Sequence, residues 1–158
     1  MLTLVSENFE VPQKLEHEKF IARKLSASDT KLDYQAVMSS IDIIKQTRGG
    51  SWPTSDLSLE DDRIDLSWHQ REFENKSSFA YTVMNKDENE CLGCFYLYKA
   101  GFRGEVPEGT DVDVSFWVTQ KAYEQGLYPE LYKALKDWLQ EKWPFKKPYW
   151  SNKEIPNL

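Results

Sequence analysis

The chain has 158 residues, the usual size of one domain, and 40% of its residues are hydrophobic, which is enough for a single core. Its 26 acidic and 20 basic side chains give a formal net charge of −6, which disfavours nucleic acid as a partner, because phosphate backbones attract clustered lysine and arginine. The sequence shows no apolar run long enough for a bilayer and no secretory leader, so we expect a cytoplasmic protein without a membrane partner.

The first predicted elements are an N-terminal arm, a short strand and a helix. Residues 1–18 are polar and weakly patterned, so we predict an arm there and one domain over residues 19–158. Residues 20–25 are typical of a strand, and the serines and the aspartate that follow are suited to cap a helix. Apolar residues then recur at helical spacing, which predicts one helix that ends at Gly49 and Gly50. These residues are Tyr34, Val37, Met38, Ile41 and Ile44.

A second helix is predicted from Ser58 to about Asn75. It begins with acidic residues, which the positive end of a helix dipole favours. Its apolar residues Ile64, Trp68 and Phe73 are expected to face the core.

The rest of the chain predicts three strands, a long helix and a last strand. Residues 78–85 and 91–99 are rich in β-branched and aromatic side chains and flank a polar loop, which indicates an antiparallel hairpin. Residues 111–118 first alternate polar and apolar and then become apolar, as expected of a strand that enters the core. The clearest helical stripe runs from Leu127 to Leu139, and residues 148–151 form a short strand.

This order of elements resembles the GNAT superfamily of acyl-CoA N-acyltransferases over residues 19–151. Residues 20–29 resemble the opening strand and helix cap of that family, and Gly93 stands where its third strand commonly has a glycine. Residues 113–139 resemble its cofactor-binding strand, turn and helix. The resemblance implies an α+β fold with a mixed, mostly antiparallel sheet flanked by helices.

The turn before the long helix resembles the place where this family holds the pyrophosphate of coenzyme A. A helix start offers backbone N–H groups and a positive dipole end to such an anion. The matching run, residues 123–128, keeps the central glycine, Gly126, whereas Tyr123 and Tyr128 replace a polar and a small residue and Pro129 removes one N–H donor. The resemblance implies acetyl-CoA as the co-substrate, in contact with Trp117, Val118, Tyr123, Gln125, Gly126, Leu127 and Tyr128.

Each aromatic residue of that set has a second interpretation. Trp117 either walls the slot for the pantetheine arm or packs in the core. The hydroxyls of Tyr123 and Tyr128 either bind phosphate or sulfur, or belong to exposed tyrosines at a helix start that have no ligand.

The resemblance also implies two catalytic groups. Asp113 matches the acidic position of the central strand and is the candidate general base, and the backbone N–H of Val118 is the candidate donor that polarises the thioester. Asp111 lies two residues earlier on the same predicted face, and a second carboxylate so close raises one pKa. The alternative is that Asp113 belongs to a solvated strand start.

The family normally continues beyond the strand at residues 148–151 with another helix and strand, which this domain is expected to lack. No residue is therefore assigned to protonate the leaving thiolate. The last strand is then left as an exposed edge, and from this we predict a homodimer.

Two further groups of residues attract attention but predict no metal site. Cys91 and Cys94 spell a CxxC, yet the sequence has no second pair, and residues three apart on a strand face opposite sides, so we interpret them as structural thiols. His17 and His69 show no ligand spacing, and His69 is interpreted as a helix-surface residue.

The expected activity is transfer of an acetyl group from acetyl-CoA to a primary amine of a small molecule or peptide. The acidic residues that open the second helix are either a solvated first turn or a surface that attracts the cationic amine. These are Glu60, Asp61, Asp62 and Asp65. The rival hypothesis is a non-catalytic module that keeps the fold and binds another ligand or partner, which the altered turn at Gly126 favours.

Overall fold

A computed structural model describes residues 3–157 and contains one six-stranded sheet. The strands follow one another across it in chain order: β1 (Lys14–Glu16), β2 (Ile21–Lys24), β3 (Phe79–Met84), β4 (Cys91–Tyr98), β5 (Val112–Val118) and β6 (Pro148–Trp150). Neighbours from β1 to β5 are antiparallel, and β5 and β6 are parallel. The predicted α+β fold with a mixed, mostly antiparallel sheet is confirmed.

Helices cover both faces of the sheet. Three come before the hairpin, α1 (Thr30–Met38), α2 (Ile41–Arg48) and α3 (Leu59–Glu74), and two follow β5, α4 (Gln120–Glu124) and α5 (Leu127–Lys142). No helix in the described range, 3–157, has the length and apolar character that a bilayer crossing requires.

Side chains of β5 alternate between two cores. Its even-numbered residues pack with α5, whereas Trp117 packs with α1 and α2. Because side chains alternate along a strand, Asp113 and Ser115 share the α1–α3 face with Trp117. The candidate groups on β5 therefore point in two directions. The side chains of Asp113 and Trp117 point to that face, whereas the backbone N–H of Val118 lies in the plane of the sheet.

The predicted first helix is two helices, because the helical conformation is interrupted at Ser39 and Ser40. The hydroxyl of Ser39 donates to the carbonyl of Ala36 at 2.9 Å, the local competition with helical hydrogen bonds that serine offers. The hydroxyl of Ser40 accepts the backbone N–H of Gln120 at 2.9 Å. This bond fixes the start of α2 against the turn after β5.

The predicted inward face of α3 is partly wrong. Ile64 is 45% exposed and Trp68 is 59% exposed, while Leu66 and Phe73 are buried. Asp62 is 1% exposed, so a carboxyl group occupies the buried face where the apolar pattern gave no signal.

Part of the predicted N-terminal arm belongs to the sheet. Lys14–Glu16 forms β1 and pairs antiparallel with β2, and Val5 and Leu15 lie in the core. The hydroxyl of Tyr81 donates to the carbonyl of Pro12 at 2.6 Å. These contacts join residues far apart in the chain, so the local pattern of residues 1–18 did not predict them.

The parallel pairing of β5 with β6 is short. It joins Val112 to Pro148 and extends to Val114 with Trp150, after which the two strands separate. β6 is the last strand of the sheet in the described residues, and its pairing with a second copy of the chain stays a prediction.

Candidate functional site

The first part of the candidate site is the opening where β5 and β6 separate. The N–H of Ser151 donates to the carbonyl of Val114 at 2.9 Å, beside the end of β6. Further along β5, Phe116 bonds to a side chain instead of a strand: its N–H donates to Oδ1 of Asn152 at 2.9 Å, and its carbonyl accepts from Nδ2 at 3.0 Å. Because backbone groups of alternate residues point to the same edge of a strand, the N–H of Val118 points toward this opening as well.

Residues 152–154, which we name the closing segment, cross this opening. Two tyrosines hold the segment: Tyr128 accepts from Nδ2 of Asn152 at 2.7 Å and donates to the carbonyl of Glu154 at 2.5 Å, and Tyr123 donates to the Glu154 carboxylate at 2.7 Å. On the other side, the N–H of Glu154 donates to the carbonyl of Thr47 at the end of α2 at 2.9 Å. The closing segment therefore occupies the part of the opening beside Phe116.

Both tyrosine hydroxyls act as donors at neutral pH. Burial raises the pKa of Tyr128 against the opposing hydrogen bond from Asn152. The hydrogen bond to Glu154 raises the pKa of Tyr123. Both hydroxyls already have hydrogen-bond partners in the closing segment, so neither tyrosine is an exposed residue without a partner. Neither hydroxyl can bind a phosphate while the closing segment stays in place.

The second part of the site is the turn at Gly126. Gly126 has a φ of +86°, a left-handed conformation that favours glycine, and a Cβ built there meets no atom within 4 Å. Its N–H donates to the carbonyl of Tyr123 at 3.0 Å, and the N–H of exposed Gln125 donates to Lys121. Pro129 has no N–H, so Leu127 and Tyr128 carry the amides in the first turn of α5 that no helical bond satisfies. These two amides can bind an anion, although both side chains are buried.

Asp113 is buried and is not part of a solvated strand start. It is 0% exposed, its Oδ1 accepts from the hydroxyl of Ser151 at 2.5 Å, and its Oδ2 has no hydrogen-bond partner among the described residues. Burial raises the pKa of Asp113, opposed by the Ser151 hydrogen bond and by the charges of Arg103 and Arg48. The carboxylate lies on the face that β5 turns toward α1, α2 and α3.

The predicted effect of Asp111 on that pKa is wrong. Asp111 precedes β5, and its carboxylate accepts the backbone N–H groups of Lys146 and Lys147 at 2.6 and 3.0 Å. Burial, not a second carboxylate, is the cause that raises the pKa of Asp113.

Trp117 is fully buried in the core beneath α1 and α2. Its Nε1 donates to the hydroxyl of Tyr96 at 2.9 Å, and its ring centroid lies 6.4 Å from that of Trp52. Core packing, the second interpretation of this residue, describes its position, and contact with a coenzyme stays a prediction.

The third part of the site is a cavity of about 270 Å³ on the α1–α3 face, which we name the aromatic cavity. Four aromatic residues line it: Trp52, Tyr96, Tyr98 and Phe102. Four polar residues complete the lining: Arg48, Asp65, His69 and Glu72. Of this set, only Asp65 and His69 are candidates on sequence alone, and the cavity is not predicted. Two spacings in the sequence could have indicated this lining. Asp65, His69 and Glu72 share one face of a helix, and Tyr96 and Tyr98 share one face of a strand.

Arg48 connects the aromatic cavity to β5. Its guanidinium carbon lies 4.1 Å from the ring centroid of Tyr96, and its Nε donates to the hydroxyl of Ser115 at 3.1 Å. Together with the Trp117–Tyr96 bond, this contact places the cavity directly against the strand whose edge forms the opening.

The two cysteines of the CxxC are buried on the same face, so the prediction that they face opposite sides is wrong. The register between β3 and β4 shifts beside Cys91, and this irregularity brings Cys91 and Cys94 into one core. Burial raises the pKa of both thiols, so they stay protonated at neutral pH. Both cysteines are free and buried in the described part of the chain, and their structural role stays a prediction.

The sheet, its helices on both faces and the opening between β5 and β6 define the fold of the GNAT superfamily of acyl-CoA N-acyltransferases. No family model matches the sequence, and no curated protein matches it by sequence.

Solved structures of several acetyltransferases share this fold. A ribosomal-protein-S5-alanine acetyltransferase from Vibrio fischeri is 13% identical with a TM-score of 0.63, and the match covers 81% of this chain and 67% of that one. RimL, a ribosomal L7/L12 α-N-protein acetyltransferase in complex with coenzyme A, is 14% identical with a TM-score of 0.62 over 83% and 71% of the two chains. A spermidine N-acetyltransferase SpeG chimera from Vibrio cholerae and hSSAT is 10% identical, with a TM-score of 0.57 over 84% and 70%. The TM-scores show a common fold, and sequence identities this low show nothing beyond the fold.

Proposed function

We propose that this domain is an N-acetyltransferase that moves an acetyl group from acetyl-CoA to a primary amine of a small molecule or peptide. The observation that carries the proposal is the position of the aromatic cavity against β5, through the contacts Arg48–Ser115 and Trp117–Tyr96. Carboxylates and aromatic faces, which line that cavity, are the groups that attract an ammonium ion. A cytoplasmic location is part of this proposal.

Each part of the site has a role in that reaction. The amides of Leu127 and Tyr128 would bind the pyrophosphate, and the N–H of Val118 would polarise the thioester carbonyl. Asp113 would accept the ammonium proton through a water molecule, because its carboxyl group does not line the cavity. The amine nitrogen then bonds to the acyl carbon as the carbon–sulfur bond breaks, and no residue is assigned to protonate the sulfur.

Acetyl-CoA fits this site under one condition. The turn at Gly126 leaves space and two amides for an anion, but the closing segment fills the opening beside Phe116. Binding in the opening therefore requires residues 152–154 to leave it.

The closing segment favours a second candidate function, a non-catalytic module that keeps the fold. The side chain of Asn152 satisfies both backbone groups of Phe116, so the edge of β5 needs no ligand. Such a module would use its aromatic cavity to bind a ligand or partner without transferring a group.

Acetyl-CoA binding separates the two functions. The whole chain and its Asn152→Ala variant are titrated with acetyl-CoA by calorimetry and by thermal shift, and thiol release is then followed with a panel of amines. A ligand at a hundredfold excess over its Kd stabilises the folded chain by about 2.7 kcal/mol. Binding followed by amine-dependent thiol release supports the transferase. Absence of a shift for both proteins at millimolar acetyl-CoA supports the module.

A further inference from the structure

The aromatic cavity carries charges of both signs that do not neutralise one another. Asp65 and Glu72 lie on α3, and Arg48 lies in the last turn of α2. Arg48 makes its side-chain hydrogen bond with the neutral hydroxyl of Ser115 and forms no ion pair with any carboxylate in the described part of the chain. The cavity thus presents a cation and two carboxylates to whatever enters it.

A histidine between the two carboxylates has an unused polar atom. Nε2 of His69 lies 3.5 Å from Asp65, while Nδ1 is buried and has no hydrogen-bond partner among residues 3–157. A buried polar atom without a partner lowers stability, and native proteins usually satisfy such atoms with protein, water or ligand. His69 lines the cavity, and its Nδ1 lies 4.0 Å from the Glu72 carboxylate, so the histidine and the charge of Glu72 belong to the same end of the cavity.

The remaining walls are apolar rings. The rings of Tyr96 and Tyr98 lie 5.5 Å apart at the base of the cavity, and Phe102, 69% exposed, lies 4.8 Å from Tyr98. Pockets for drug-sized ligands commonly measure about 300–1,000 Å³. A cavity of about 270 Å³ lies just below that range, so its ligand should be smaller than a drug-sized molecule. The rings would contact an apolar group between the two charged ends.

We propose that the aromatic cavity binds a small zwitterion, namely an α-amino acid with an apolar side chain. The carboxylate lies against Arg48, whose planar guanidinium matches it with paired N–H donors. The ammonium group lies near Asp65 and Glu72, and the side chain lies among the aromatic rings. The charge of Arg48 disfavours polyamines, which carry ammonium groups but no carboxylate.

This inference rests on the proposed function in one respect: the bound amine would be the acyl acceptor. Binding itself does not depend on acetyl-CoA. An amino acid that binds and is not acetylated would contradict the transferase and leave the zwitterion site intact.

The test compares ligands that differ by one charge. Alanine, leucine and phenylalanine are titrated by calorimetry against the whole chain without acetyl-CoA, each beside its decarboxylated amine and its deaminated acid. At least one amino acid should bind about tenfold or more tightly than both of its analogues, because each analogue leaves one charged wall unpaired. If none of the three amino acids binds more tightly than both of its analogues, or if none binds at millimolar concentration, the proposal is overturned.

Variants assign the two ends of the ligand. Arg48→Gln should abolish the preference for amino acid over amine, whereas Arg71→Gln, which removes a charge from the exposed side of α3, should preserve it. Glu72→Gln leaves Arg48 in place and should weaken the amino acid and the amine more than the acid. Thermal melts establish that each variant is folded. Loss of preference in Arg71→Gln, or its retention in a folded Arg48→Gln, contradicts the assignment.

Discussion

Asn152 takes the place of a strand beside Phe116. Its amide oxygen accepts the N–H of Phe116 at 2.9 Å, and its amide nitrogen donates to the Phe116 carbonyl at 3.0 Å. The same nitrogen donates to the hydroxyl of Tyr128 at 2.7 Å. One buried side chain thus links β5 to α5 and closes the opening between β5 and β6.

Asn152→Ala should destabilise the fold and open the site. The substitution leaves two buried backbone groups of Phe116 unpaired, and because each such group costs about 1–3 kcal/mol, the free energy of unfolding should fall by about 2 kcal/mol or more. Under the proposed function, it should also tighten acetyl-CoA binding, because the side chain that fills the opening is gone. Chemical denaturation and calorimetry measure the two effects, with exposed Asn157→Ala as the control. Unchanged stability would show that the contact with Phe116 is absent in solution.

Gly93→Ala should be strongly destabilising. A Cβ at Gly93 would lie 2.2 Å from the carbonyl oxygen of Trp117 and 3.1 Å from Cα of Val118, both backbone atoms of the adjacent strand. To relieve this clash, β4 and β5 would have to move apart inside the sheet, and the free energy of unfolding should fall by about 3 kcal/mol or more.

Gly101→Ala is the comparison for this prediction. Gly101 has a φ of +89° but no atom within 4 Å of a built Cβ, so its replacement carries backbone strain of about 1–2 kcal/mol without a clash. Denaturation midpoints rank the two variants. Equal losses would mean that the contact with Trp117 does not determine the requirement for glycine at Gly93.

Elements with a local pattern could be predicted from the sequence. The hairpin, the strand before Thr119 and the helix from Leu127 each carry their own period of apolar residues, and the structure contains all of them. The face of α3 could not be predicted, because Asp62 is buried while Trp68 is exposed. The neighbouring carboxyl group, Asp33, lies on α1, so the pattern of apolar residues along α3 does not indicate why Asp62 is buried.

The candidate site also has one part that could be predicted from the sequence and two parts that could not. The glycine turn at Gly126 follows from a short run of sequence and from resemblance. The closing segment depends on a side-chain amide that bonds to a backbone 36 residues away. The aromatic cavity depends on where two helices, α2 and α3, meet strand β4 and two loops. Both are products of tertiary packing that residue spacing alone does not encode.

The buried carboxyl groups of Asp33 and Asp62 should make stability depend on pH. Burial raises the pKa of Asp33 well above its ordinary value, and the charge of Asp62 raises it further. Burial also raises the pKa of Asp62, and the proximity of the Asp33 carboxyl group opposes this rise. A carboxyl group with a raised folded pKa contributes stability that is fully present below its unfolded pKa and is lost as pH rises through the folded pKa.

Asp33→Asn should therefore be more stable than the parent chain at neutral pH and less dependent on pH. Its amide can donate to Asp62, whose carboxylate oxygens have no hydrogen-bond partner among the described residues, without becoming charged. The free energy of unfolding, measured between about pH 4 and pH 8, tests this, with exposed Asp137→Asn as the control. A parent chain whose stability is constant over that range would contradict the prediction.

Asp113→Asn should lower turnover under the proposed function and leave acetyl-CoA affinity nearly unchanged. Asparagine keeps an oxygen for the hydroxyl of Ser151 but cannot accept the ammonium proton, and loss of a general base lowers kcat by about 10²–10⁴-fold. Because burial raises the pKa of Asp113 and the base must be ionised, the parent rate should rise with pH through that raised pKa, and the variant should lack this rise. Asp111→Asn, in the loop before β5, should keep the parent pH profile. A fully active Asp113→Asn would remove this carboxylate from the mechanism and return the search for a base to the aromatic cavity, where His69 has an unpaired ring nitrogen among the described residues.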